Sequence, residues 1–64
     1  MKQEQIFKYM DEMIESNQNP KANKFWVSPD IYIQLSVSEY KGNIICVSSD
    51  MSEETMILCD YNLY

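Results

Sequence analysis

Asp11, Glu12 and Glu15 set three carboxylates close together in one short stretch of sequence. On a helix, the i, i+3 and i+4 spacings bring Asp11 and Glu12 near Glu15. Paired carboxylates are the raw material of acid–base hydrolysis and of divalent-cation binding. A hydrolase of that kind also needs a cleft that shelters its acid, and a chain of 64 residues has little material for one. A solvated outer helix face accounts for these three acids more simply.

Other chemistry is thinner still. There is no histidine, so no Ser–His or Cys–His nucleophile pair forms. One glycine, Gly42, cannot make a glycine-rich phosphate loop. The segment D-M-S-E-E-T from Asp50 lacks the glycine and the spacing of an EF-hand loop. Cys46 and Cys59 alone, without histidine, are too few ligands for a structural zinc. The sequence therefore predicts a chain that is not an enzyme, with no metal site and no cofactor.

Charge narrows the partners. Ten acids face five lysines, arginine is absent, and the formal net charge is −5. Such a chain repels nucleic acid and anionic membrane. Without arginine it also lacks the usual bidentate reader of phosphates and bases. The acidity serves either solubility or recognition of a basic protein surface. In the recognition reading the acids are Asp11, Glu12, Glu15, Asp50, Glu53, Glu54 and Asp60. A special case is mimicry of DNA phosphates toward a nucleic-acid-binding partner. Trp26, near Lys21 and Lys24, is either a stacking platform for a base or a cap on the core; the second is the commoner use. No stretch approaches the about 20 apolar residues of a membrane span, and the acidic, discontinuous N-terminal stretch is not expected to act as a signal peptide. The expected location is the cytoplasm, with both thiols reduced.

The elements that must position these groups follow from periodicity. From Gln3 to Asn17 the apolar residues Ile6, Phe7, Met10, Met13 and Ile14 have the spacing of one helical face. Pro20 prevents the helix from continuing. Ile31, Ile33, Leu35 and Val37 then alternate with polar or aromatic neighbours, which predicts a half-buried strand. Ser28-Pro29-Asp30 reads as turn chemistry, leaving Phe25–Val27 as an edge piece or a bent start. Gly42 suits a three-residue hairpin loop made of Tyr40, Lys41 and Gly42, so that Val37 opposes Ile45 and Leu35 opposes Val47. A third strand is expected from Thr55 to Leu63. The whole chain, residues 1–64, is read as one small α+β domain: an N-terminal helix packed on one face of a three-stranded antiparallel β-meander. The expected core is Ile6, Phe7, Met10, Met13, Ile14, Ile33, Leu35, Val37, Ile45, Val47, Ile57, Cys59, Tyr61 and Leu63.

Strand parity then sends Tyr32, Ile44, Cys46, Met56, Leu58 and Tyr64 to the opposite, helix-free face. An apolar centre with a polar rim marks an interaction surface. The same parity places Cys46 and Cys59 on opposite faces, where no disulfide can join them.

In size, acidity and lack of arginine the chain resembles the short accessory proteins of bacteriophages and prophages, among them inhibitors of host nucleases and defence enzymes. The likeness is one of composition and covers no defined motif. It implies a small acidic binding module that inhibits or regulates a host protein. Two alternatives stand beside it. One is a homodimer joined through the outer sheet face; the other is a module that sequesters a small ligand such as a nucleotide near Trp26 and the tyrosines.

Overall fold

The N-terminal apolar stripe forms helix α1, Gln3–Ser16. In this computed structural model, which describes residues 2–62, Ile6 and Met10 sit one turn apart and are fully buried. Phe7, Met13 and Ile14 flank them against the core. The Gln5 side chain accepts the Lys2 backbone N–H at 3.2 Å and so closes the first turn. At the other end the Ser16 hydroxyl donates back to the Glu12 carbonyl at 2.8 Å. Asn17 and Asn19 then accept backbone N–H groups two residues on, at 3.1 and 3.0 Å, which turns the chain before the sheet.

The next segments depart from the expected meander. Phe25–Val27 belongs to strand β1, Lys24–Val27, at the centre of the sheet. The residues expected to alternate as a strand form helix α2, Pro29–Leu35. Ser28 stands at its N-cap position and Pro29 in its first turn, where a missing N–H costs nothing. Asp30 adds an acid to that turn. Ile31 and Leu35 are i, i+4 partners on the buried face, both fully buried. Ile33, on the other side, is 75% exposed. Ser36 ends the helix in the left-handed region at φ 57°.

A short hairpin follows. Strand β2, Glu39–Tyr40, pairs antiparallel with β3, Asn43–Val47. The loop is the two residues Lys41 and Gly42, at φ 50° and 82°, both positive as a primed hairpin turn requires. Tyr40 therefore opposes Asn43 and Glu39 opposes Ile44, one residue away from the expected register. The last strand is β4, Met56–Cys59.

The sheet has four strands in the order β2-β3-β1-β4. β1 runs parallel to β3 and antiparallel to β4. The fold is thus α+β with an N-terminal helix and a mixed sheet, and α2 is the crossover that lets β1 and β3 run parallel. Both helices lie on one face: Ile6 and Met10 of α1, Phe25 and Val27 of β1, Ile31 and Leu35 of α2 and Ile45 of β3 make one buried cluster. Ser28 and Ser48 are buried at the end of the β1–β3 pair. The Ser28 N–H donates to the Thr55 carbonyl and the Ser48 N–H to the Val27 carbonyl, both at 3.0 Å.

Several expected core positions fall outside the core. Ile33, Val37, Val47 and Tyr61 are exposed. Leu63 lies outside the described residues. In their place Phe25, Val27 and Ile31 carry the centre.

Candidate functional site

Pairing fixes which side chains share a face. Phe25 lies between Ile45 and Leu58, and Val27 between Val47 and Met56. These residues look toward the helices, where Met56 and Leu58 pack against the buried cluster. The expectation that Met56 and Leu58 point outward is therefore wrong. It rested on a β2–β3 register one residue off and on β4 pairing with β3, whereas β4 pairs with β1.

The opposite, helix-free face is carried by the alternate positions. Trp26 lies between Cys46 and Ile57, and Lys24 between Ile44 and Cys59. Ile44 is 52% exposed, and Cys46 and Ile57 are half-buried. Ile44 and Cys46 thus stand on the outer face as their parity implied. Cys59 was expected on the inner face and shares the outer one with Cys46. Both thiols are free. β1 runs between their strands, so their backbones are about 10 Å apart or more, too far for a disulfide.

Part of this face is already covered. Trp26 Nε1 donates to the Tyr61 carbonyl at 3.0 Å, and the Cys59 thiol reaches the same oxygen at 3.4 Å. The chain after β4 thus folds back over one end of the sheet. Trp26 is only 7% exposed, so its ring offers no open platform for a base. Of the remaining expected contact residues, Tyr32 stands on α2, 39% exposed and away from the outer sheet face. Tyr64 lies outside the described residues.

The acids divide into three settings. Asp11 is tied internally: its Oδ1 accepts the Tyr40 hydroxyl at 2.9 Å and Lys41 Nζ at 2.7 Å. The Phe7 ring stacks on Tyr40 with centroids 4.6 Å apart, which completes a clasp between α1 and the β2–β3 hairpin. Lys41, then Tyr40, hold the Asp11 carboxyl below its ordinary value. Burial first, then the Asp11 carboxylate, push the Tyr40 hydroxyl up. The same carboxylate raises Lys41.

The signs define a stability window. A depressed Asp11 stabilises the fold above its unfolded value, and this is lost as pH falls through the folded one. Raised Tyr40 and Lys41 stabilise below their unfolded values, and this is lost as pH rises through the folded ones. The urea midpoint is expected to be flat between about pH 5 and pH 9 and to fall on both sides. Asp11→Asn should flatten both slopes, which paired urea titrations of the two proteins would measure. Equal slopes in both would show that the clasp is idle.

Asp30, outside the acidic set expected to recognise a partner, has a local task. Its Oδ2 accepts the Glu54 N–H at 3.0 Å and anchors the loop before β4 onto the first turn of α2. The Ser28 hydroxyl is the chief cause of its lowered pKa, with the Glu54 N–H assisting.

Glu12 and Glu54 both line an open groove of about 570 Å³ between α1 and the start of β4, together with Tyr9, Met13, Ser16, Thr55 and Met56. Nothing in the local sequence points to it, because its lining comes from segments far apart in the chain. Glu15, Asp50, Glu53 and Asp60 lie elsewhere on the exposed surface. Among the described residues no group of three or more Cys, Asp or Glu side chains converges as a metal site requires. Nor is any helix among them long and apolar enough to cross a membrane.

Comparison with known protein families, with curated proteins and with solved structures returns no match for this chain.

Proposed function

We propose that this chain is a small, acidic, non-catalytic binding module that inhibits or regulates a partner protein by occupying it. One observation carries this reading. Both helices pack on the same face of the sheet, and the other face of the parallel β1–β3 pair has no helix over it. Soluble monomers rarely leave a contiguous apolar surface open to water, and such a surface marks an interaction site. Here the C-terminal return over Trp26 covers one end, and among the described residues none covers Ile44, while Cys46 and Ile57 beside it are half-buried. Lys24 and Glu39 lie beside them on the same face as a polar rim.

Ile44→Asp tests the reading, because Ile44 is half exposed and outside the buried cluster. The variant should keep the wild-type unfolding midpoint within about 0.5 kcal/mol. As bait in a pull-down it should lose the protein that wild type recovers in stoichiometric amount. Retention of that protein by the variant would move the contact off this face. Sedimentation equilibrium decides the source of the cover. A wild-type dimer that Ile44→Asp dissociates would make the partner a second copy of this chain.

A further inference from the structure

The sheet ends at β4 on one side and at the two-residue β2 on the other. β4 reads Met-Ile-Leu-Cys, with no charge, proline or bulge to discourage pairing. Its backbone polarity follows from the register. Ser28 donates to Thr55, so the hydrogen-bonded pairs with β1 are Ser28–Thr55 and Trp26–Ile57. Met56 and Leu58 are the intervening positions. Their N–H and C=O groups therefore point away from β1, along the outer edge of the sheet.

That edge runs beside the groove of Tyr9, Glu12, Met13, Glu54 and Met56. A strand added to β4 would lie about 4.8 Å further out. Alternate side chains of such a strand point to the helix side, where the groove lies. Met13, Met56 and the Tyr9 ring suit an aliphatic stem, and the exposed Glu12 suits a cationic head. A second copy is the wrong occupant. Antiparallel pairing of two β4 strands would set Glu53 and Glu54 of one chain against Asp60 of the other, between two chains of net charge −5.

We infer that the outer edge of β4 and the adjoining groove bind an extended, basic segment of another protein as an added strand, with a lysine or arginine side chain seated against Glu12. This surface is separate from the open sheet face, and the inference does not rest on that face being used.

The probe is a capped seven-residue peptide alternating valine and lysine, added to the intact protein and followed by amide NMR and hydrogen exchange. The expected result is slowed exchange at the Met56 and Leu58 amides and binding that weakens as salt rises. Glu12→Lys should weaken it about tenfold or more. Glu12 is an exposed helix residue, so the variant should fold, and Ile44→Asp should bind as wild type does. Three results would overturn the inference. One is no change at Met56 and Leu58 at about 1 mM peptide. Another is equal binding of the same peptide with glutamate for lysine. The third is loss of binding in Ile44→Asp with none in Glu12→Lys, which would place the peptide on the sheet face. Slowed exchange at those amides in the protein alone, rising with its concentration, would give the edge to a second copy.

Discussion

Phe25→Ala is expected to leave the chain unfolded at 25 °C. Phe25 is fully buried on the central strand, flanked by Ile45 on one side and Leu58 on the other. It faces the cluster to which both helices contribute. Truncating a buried phenylalanine costs about 3–5 kcal/mol, through lost transfer free energy and the cavity left behind. A core in a chain this short supplies a net stability of about 3–5 kcal/mol. The two quantities are equal in size, so the folded state loses its margin. Phe7 is the control: it is only partly buried, and its ring stacks on Tyr40 at the rim. Phe7→Ala should lower stability by about 1–2 kcal/mol and leave a folded protein. Amide NMR dispersion and circular dichroism distinguish the two outcomes. A Phe25→Ala protein that melts within a few degrees of wild type would show that the weight of the core lies elsewhere.

The same residue shows what the sequence made legible. α1 was readable because its apolar stripe runs through three turns and no strand pattern competes with it. Phe25-Trp26-Val27 was harder. Three apolar residues in a row do not alternate, and an exposed edge piece and a buried central strand look alike at that length. The continuous run is the mark of a strand with both faces covered, and here the helices cover Phe25 and Val27 while the C-terminal return covers Trp26. The decisive signal lay next to it. Ser28-Pro29-Asp30 is turn chemistry, but it is equally an N-cap, a first-turn proline and a first-turn acid.

Once α2 replaces the expected first strand, the rest of the meander changes with it. Gly42 marked a hairpin, as expected, but a loop of Lys41 and Gly42 differs from a three-residue loop by one position. One residue of register exchanges the two faces of a strand. Ile44 and Cys46 do lie on the helix-free face, but the three-residue loop and the Val37–Ile45 pairing from which their orientation was read are not the ones present. The placement of Met56, Leu58 and Cys59 did not survive, because it assumed that β4 pairs with β3. Partner choice in a sheet is a long-range property, and nothing local in β4 shows that its neighbour is β1. The groove at Glu12 and Glu54 was hidden for the same reason, since only the tertiary fold brings α1 beside the start of β4.

Ile31→Ala and Ile33→Ala should have opposite effects. If residues 31–37 formed a strand, Ile31, Ile33 and Leu35 would share one face, and truncating any of them would destabilise. In helix α2 the residues two apart are turned about 200° from each other, while Ile31 and Leu35 stand one above the other. Ile31 is fully buried in the cluster and Ile33 is 75% exposed. Ile31→Ala should cost about 2–5 kcal/mol, enough to unfold much of the population. Ile33→Ala should be neutral or stabilise by a few tenths of a kcal/mol, because alanine is the better helix former and no packing is lost. The sign is as informative as the size: in a strand, alanine is poorer than isoleucine even on a solvent face. Urea unfolding of the two variants beside wild type measures both quantities. A loss at Ile33 comparable to that at Ile31 would remove α2, and with it the crossover that makes β1 and β3 parallel and leaves their other face without a helix.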